Sequence, residues 1–597
     1  MTLWFLRDSE RLERERAGID ALSRDAEWLI GAHWGLDGGI FVDAVIRAHG
    51  HDYEVRVSYP ALFPDAPIVV RPKNMDRRIS THQYGGPDGP LCLEWGPDNW
   101  HPEITAVHML ESAYRLFHTE NPLGQNRPVI PVVAASRHRL TMGQELRSEW
   151  ARWYHSPALM QFLAAQPNNS IGSFKFSFRK AGDTRIGLVH EVNAPDGTEW
   201  RDGELPTNMP GAEPDDYHVG IWFKSGIDKA LIGQPTKFEQ LKAVLAEVGG
   251  DRFLATDGSS PVKGFDRGIT GVLIFDSAAD MHLFVIVSAD DAIPCAPFKS
   301  DVTSAANRAP ESGELNGKRI GIVGLGSAGS KIAVSLARMG ASDFYVVDHD
   351  VLLPENLRRH ALDWQSVGQH KANALELAIA RISPHSKVEL CRLDIAGQES
   401  NALVGGALDK LAQCDLIIDA TANPRVFNLL AAVARNALRP MIWLELFGGG
   451  IGGLVARSRP GIDPTAQEMR GAYLQYCTEN PAPMVHQRAI NYETESETGE
   501  VMVASDAEIA IVAHHAARFA PDCFVSPGQS KYPHSMYLIG LAKAWVFDAP
   551  FVNIPISMES FAATGWVKDG EKAISPDNAQ FILDLLQKPN DATAHTA

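Results

Sequence analysis

The spacing of apolar and polar residues changes period several times along the chain. The first 30 residues, which open MTLWFLRDSERLERERAG, have a short apolar start and then a densely charged stretch that reads as a helix. From Gly39 to Val70, FVDAVIRA and YEVRVSYP alternate apolar and polar positions, which predicts antiparallel strands buried on one face. Pro60, Pro64, Pro67, Pro72, Pro87, Pro90, Pro97 and Pro102 then fix φ and remove backbone donors, so an irregular loop is expected before a helix at about 103–118. Helix, meander, long loop, helix is an α+β order.

Between about 150 and 305 the signals are mixed. SFKFSFR and GVLIFDS look like strands and KFEQLKAVLAEV like a helix, but no motif points to a chemistry. ANRAPESGELNG reads as a linker. Beyond it, KRIGIVGLGSAGSKIAVSLARMGASDFYVVDHD runs strand, glycine turn, helix, strand, and DLIIDATAN adds another buried strand, so a parallel sheet covered by helices is predicted. SDAEIAIVAHHAARFA should be a late helix and KPNDATAHTA a frayed tail.

Composition narrows the class of partner. The 597 residues suggest about three or four domains, and 45% hydrophobic with 21% charged residues is the balance of a globular protein. A net charge of -18 repels polyanions, so no nucleic-acid partner is expected. The start lacks the long apolar run of a signal peptide, and MIWLELFGGGIGGLVA is broken by Glu445 and glycines, so no membrane span is expected and cytoplasm is the default. Six cysteines without a Cys-x-x-Cys pair argue against a disulfide framework or a thiolate zinc site.

Gly324, Gly326 and Gly329 form G-x-G-x-x-G between strand and helix, a turn that lets backbone N–H groups approach a phosphate, and Asp348 ends the next strand, where a carboxylate can take ribose hydroxyls. These features alone serve NAD as well as ATP. The following segment, VVDHDVLLPENLRRHALDWQSVGQHKA, with its D-x-D, N-L-x-R and G-x-x-K elements, resembles the ThiF, MoeB and ubiquitin-activating family, and ISPHSKVEL continues the likeness. The resemblance implies an ATP-adenylating α/β Rossmann-like domain, with Asp348 on the ribose and Asn356, Arg359 and Lys371 around the phosphates. Cationic groups there suit a reaction that gathers negative charge on phosphate. The family's magnesium-holding Asp is replaced by Ala422, which leaves Asp419 as the nearest metal ligand.

Residues 53–122 resemble the ubiquitin-conjugating fold through YPALFPDAPIVV and PLCLEWGPDNWHPEIT. His82, Cys92 and Trp100-His101-Pro102 keep that family's spacings, which implies that Cys92 carries an acyl group as a thioester. The family's His-Pro-Asn is His82-Gln83-Tyr84 here, and the Tyr84 hydroxyl is the substitute donor for the missing Asn. Activating enzymes of this kind use a second cysteine in a crossover loop; Cys477, in the loop after LVARSRPG, is preferred, with Cys523 after the late helix as the alternative. Cys391 and Cys414 read as small buried hydrophobes and Cys295 lies in an irregular segment.

The predicted division is a ubiquitin-conjugating-like domain at 1–150, a mixed α/β middle domain at 151–305, an adenylation domain at 314–565 and an extension at 566–597. This order resembles the ubiquitin-transferase-like proteins of bacterial type II CBASS antiphage systems. The resemblance implies ATP and Mg²⁺ as cofactors, a cGAS-like nucleotidyltransferase C-terminus as the activated partner, amines on target proteins as acceptors, and a homodimer. The rivals are a sulfur-carrier activating enzyme of the ThiF type and an inactive nucleotide-binding scaffold.

Overall fold

The computed structural model describes residues 3–73, 79–80, 82–84, 87–124, 141–206, 209, 214–247, 270–288, 290–300, 310, 312–397, 399–481, 486–487, 494–495, 501–558, 565–566 and 576–587. The chain divides into two compact units, Met1–Arg147 and Ser148–Ala597.

In the first unit, helix α1 (Ser9–Asp25) is capped by Asp8, whose carboxylate accepts the Arg11 N–H at 2.9 Å. The expected single helix over 1–30 ends earlier, because β1 (Leu29–Leu36) already pairs with β2 (Ile40–Ala48). β3 (His51–Ser58) and β4 (Val69–Pro72) complete an antiparallel sheet in sequence order. Val42, Ala44 and Ile46 of β2 and Tyr53, Val55 and Val57 of β3 are buried at every second position, the alternation read from the sequence. Onto that face packs α2 (Ala106–Glu120), which buries Met109, Leu110, Ala113, Leu116 and Phe117; Phe117 stacks on Tyr53 at 4.3 Å.

A buried ion pair ties α1 to the start of α2. Glu15 is fully buried and takes Arg11 at 2.9 Å, the Tyr59 hydroxyl at 3.1 Å and the Ala106 N–H at 2.8 Å. Arg11 donates in addition to the carbonyls of Pro102 (2.5 Å) and Ile104 (2.7 Å). With its polar atoms this fully matched, the pair fixes the chain between the cysteine loop and α2 in place.

The second unit opens with a sheet that the sequence only half disclosed. β5 (Ala151–His155), β12 (Ala292–Lys299), β11 (Met281–Ile286), β10 (Gly271–Phe275), β9 (His218–Lys224), β6 (Ile171–Ala181) and β7 (Thr184–Asn193) neighbour one another in that order, and β7 pairs back onto β5. The ring is closed, with β8 (Glu199–Arg201) attached outside it. Trp153, Phe174, Phe176, Trp222, Leu273 and Leu283 fill it. Cys295 lies on β12, not in an irregular segment, and burial pushes its thiol up to about 12.

The second sheet runs β15 (Lys387–Cys391), β14 (Asp343–Val347), β13 (Arg319–Val323), β16 (Leu416–Asp419), β17 (Met441–Phe447), β18 (Gly452–Ser458), β22 (Met536–Gly540), β23 (Asn553–Pro555). The first five strands are parallel and the last three antiparallel. Short strands β19 (His486–Gln487), β20 (Thr494–Glu495) and β21 (Val501–Met502) form a separate ladder in the crossover region. The helices Ser327–Arg338 (α3), Lys371–Ile382 (α4) and Asp506–Asp522 (α5) belong to one core, and Leu411, Phe427, Leu430 and Met469 belong to a second that shares the same strands. Burial on both faces is why IGIV, FYVV and LIID are continuous apolar runs. Of the linker expected at 306–317, residues 306–309 and 311 lie outside the described residues, as does the tail 588–597, and Ser312–Leu315 is a helical turn. Within the 566–597 extension, Pro576–Gln587 is a helix that exposes Phe581, Ile582, Leu583, Leu585 and Leu586.

Candidate functional site

Cys92 sits on a loop made stiff by pairing. Its N–H donates to the His82 carbonyl at 2.6 Å, Tyr84 N–H to Pro90 O at 2.9 Å, and Leu91 N–H to Val70 O at 2.8 Å, so the loop is clipped to itself and to β4. Buried Gln83 accepts the Ile79 N–H and donates to the Pro87 carbonyl, closing the turn between the paired segments. After the thiol, Asn99 accepts the Gly96 N–H and donates to Glu94 O, so its amide is spent on the turn and does not stand in for the family's missing Asn. Trp100 donates to Pro64 O at 2.7 Å. His82 Nε2 lies 3.6 Å from the Glu120 carboxylate.

Cys92 is only 8% exposed at the residue level. The Tyr84 hydroxyl is 3.3 Å from Sγ, and Gln144 and Arg147 share the same pocket. Burial, then the neighbouring thiol, pushes the Tyr84 phenol up to about 12, so it stays a hydrogen-bond donor at neutral pH.

The second site is built from backbone. Gly324 has φ +85°, and a Cβ there would come within 2.7 Å of Thr421 Cγ2; a Cβ at Gly329 would lie 1.9 Å from the Gly324 carbonyl oxygen. Gly326 meets nothing within 4 Å. Two glycines are thus demanded by packing and one leaves open space at the N-terminus of α3, a cradle that a phosphate fits. Asp348 accepts the Leu325 N–H at 2.6 Å and the Asp350 N–H at 2.8 Å, holding the turn; its oxygens keep lone pairs that fit a ribose hydroxyl. His360 is buried against the Leu325 carbonyl at 2.7 Å, and desolvation pulls its pKa down to about 4, so it supports the turn as a neutral ring.

The residues expected around phosphates are only partly free. Asn356 Oδ1 accepts the Leu353 N–H at 2.9 Å, and Lys371 is buried and paired with Asp350 at 2.6 Å. Among the described residues nothing pairs with the half-buried Arg359 guanidinium, while its carbonyl accepts from Lys331 at 2.5 Å. Lys331, on α3 and 8% exposed, also reaches Asp506 of α5 at 2.7 Å. Sequence reasoning passed over Lys331 and His360; the only signal was a charged residue inside the otherwise apolar helix behind the glycine turn.

Asp419 ends β16, is 2% exposed, and accepts Thr421 N–H (3.0 Å) and Oγ–H (2.7 Å). Desolvation pushes its carboxyl up to about 6. Glu445, also raised by burial, is its electrostatic neighbour. Ala422, with φ +50°, holds the left-handed position and offers no ligand. Among the described residues no group of three or more His, Cys, Asp or Glu could hold a metal ion, so Mg²⁺ fits only as an ion held mainly by phosphate oxygens and water with one carboxylate.

The second cysteine is corrected in place. Cys477 is not in a loop; it lies in the last turn of the helix Ala466–Glu479, half buried, and desolvation raises its thiol pKa against the partial relief of a Tyr473 hydrogen bond. Cys523 caps the C-terminus of α5, with its thiol pushed up by burial to about 12. Cys414 is fully buried as expected, whereas Cys391 is only half buried. Among the described residues no helix is long and apolar enough to cross a membrane.

The doubly covered, mostly parallel sheet with this glycine turn is a Rossmann-like nucleotide-binding domain, and residues 304–493 of the chain match the ThiF family model. Over that region the chain resembles the ATP-dependent ubiquitin transferase-like protein Cap2 of Enterobacter hormaechei, 35% identical over 125 residues that make up 21% of this chain and 20% of that one. It is also 35% identical to the uncharacterized protein y4qC of Sinorhizobium fredii over 143 residues, 23% of this chain and 24% of that one. The chain therefore spans about a quarter or less of the length of these relatives. The E. coli protein MccB, in a crystal structure with AMPCPP and MccA, aligns over 42% of this chain and 67% of its own at 15% identity and a TM-score of 0.31.

Proposed function

We propose that the chain activates the C-terminal carboxylate of a partner protein with ATP, carries it through cysteine thioesters ending on Cys92, and joins it to an amine. A carboxylate oxygen attacks the α-phosphorus and pyrophosphate leaves; a thiolate then attacks the acyl carbon and AMP leaves. Transfer between sulfurs exchanges one C–S bond for another, and the acceptor amine finally displaces Cys92 as its thiol. The observation that carries the reading is the open cradle at Gly326, together with an Arg359 guanidinium that has no partner among the described residues, in a region that matches the ThiF family model. In this reading Arg359 stabilises charge at the phosphates, Asp348 holds the ribose, and Tyr84 donates to the oxyanion that forms when the amine attacks. Bound magnesium would neutralise the departing pyrophosphate, with Asp419 as its protein ligand.

Cys477, where the Tyr473 hydroxyl partly offsets the burial of the thiol, is preferred as the upstream nucleophile, with Cys523 as the alternative. The antiphage setting, a cGAS-like nucleotidyltransferase as partner, a homodimer and a cytoplasmic location complete the proposal by resemblance to the Cap2 proteins. The test is ATP–pyrophosphate exchange together with capture of a thiol-sensitive adduct. Cys92→Ala is expected to keep exchange and lose all thiol-resistant conjugates, and Arg359→Ala to lose exchange; conjugates formed at the wild-type rate by Cys92→Ala would refute the carrier role. A sulfur-carrier enzyme, the activity suggested by likeness to the adenylyltransferase and sulfurtransferase uba4 of Aspergillus niger, would be indifferent to Cys92.

A further inference from the structure

Cys92 opens on a cavity of about 510 Å³. Its accessible apolar lining is Pro67, Val69, Trp95 and Pro97, and Asp98, Gln144 and Arg147 line it with polar groups. Close packing is the rule in protein interiors, and a space of this size is in the range of ligand pockets, far above what a glycine residue fills. A chain held by its terminal carbonyl on Sγ has its last Cα one bond beyond that carbonyl, so the last side chain falls within a few Å of the sulfur. A small tail would leave that accessible apolar lining facing solvent instead of a packed side chain.

We infer that this cavity is a specificity pocket for a bulky apolar side chain at the C-terminal end of the chain carried on Cys92. The inference rests on the carrier reading and deepens it. The Tyr84 hydroxyl lies 3.3 Å from the sulfur, within reach of an acyl oxygen there, and the apolar lining belongs to the same cavity and can take the side chain. The exposed Gln144 and the Arg147 side chain leave a polar rim for the backbone of the carried segment.

The test loads the full-length protein with short synthetic peptides supplied as thioesters of a small thiol and differing only in the last residue: Gly, Ala, Leu or Phe. Attack by the Cys92 thiolate forms the new C–S bond as the small thiolate leaves, so neither ATP nor an upstream cysteine is needed. Loading is followed by the mass of the Cys92 adduct and divided by each peptide's exchange rate with N-acetylcysteine, which removes intrinsic reactivity. Leu and Phe are expected to load at least about tenfold faster than Gly, the discrimination that an apolar pocket gives for a missing side chain. Val69→Phe, which fills the cavity from its β4 side, should abolish the preference by slowing Leu and Phe loading at least about tenfold more than Gly loading. Equal normalised rates, or faster Gly, would overturn the pocket while leaving Cys92 as a carrier; loading of no peptide at all would bring down the carrier reading and this inference with it.

Discussion

At the glycine turn the chemistry rests on the backbone: Gly324 and Gly329 are required by atoms only a few Å away, and the N–H groups they free belong to a helix whose inner face is buried in the core. At Cys92 it rests on side chains of a loop, a sulfur under a tyrosine beside an apolar cavity, held from behind by the buried Arg11–Glu15 pair. The first kind of site tolerates almost no substitution at its two packed glycines. The second tolerates change around it so long as one sulfur and one donor stay in register. A change at a packed glycine therefore fails by misfolding, and a change at Cys92 or Tyr84 fails by losing chemistry while the fold survives.

The largest effect that sharpens this contrast is expected within the glycine turn itself. Gly329→Ala forces a methyl into the Gly324 carbonyl and should cost about 3 kcal/mol or more, seen as a large fall in the melting temperature of the adenylation domain. Gly326→Ala meets no atom within 4 Å and needs no unusual φ, so its melting temperature should stay near wild type while nucleotide affinity drops at least about tenfold, because the methyl occupies the cradle. If the two variants melt alike, the division between packing glycines and an open one is wrong.

Legibility followed the same line. The glycine turn, the parallel order and the late helix were readable because a covered sheet leaves long apolar runs and backbone constraints leave glycines. The closed ring of β5–β12 was not, since its closure rests on β5 meeting β12 and β7, contacts far apart in sequence with no local signature. Lys331 and His360 were missed because their roles come from what the fold brings to them, a carbonyl of Arg359 and one of Leu325. Cys477 was misplaced because AQEMRGAYLQYCTE has weak apolar periodicity, and its helix is declared by the Thr465–Glu468 capping box rather than by a stripe.

At the thiol site a smaller, purely chemical effect is expected. Tyr84→Phe keeps the ring and its packing but removes the hydroxyl 3.3 Å from Sγ. Amide formation from the loaded Cys92 thioester should slow by about a hundredfold, the lower end of the range for one lost oxyanion donor. The melting temperature should move little. Aminolysis measured in single turnover on preloaded protein checks this, and an unchanged rate would mean that the hydroxyl only packs against the sulfur.

The smallest expected effect, and the one that returns to the backbone site, is the pH dependence of stability at Asp419. Its carboxyl holds its proton more tightly in the fold, at about 6 against an ordinary 3.8, because burial penalises the charged form more than Thr421 repays it. Folded stability from this group is therefore full below pH 3.8 and is lost as the pH rises through about 6. Asp419→Asn keeps an oxygen for the Thr421 donors but cannot ionise, so at about pH 7.5 it should be more stable than wild type by roughly 2 kcal/mol, with the gain vanishing near about pH 4. Glu445 remains in both proteins and relaxes in the variant, since the neighbouring charge that opposes its ionisation is gone. Thermal melts across that range, without nucleotide, measure the difference. A variant less stable than wild type at the higher pH would show that Asp419 is held as a carboxylate by a favourable partner such as Arg470, and that the end of β16 is built for a charge even before any phosphate or metal arrives.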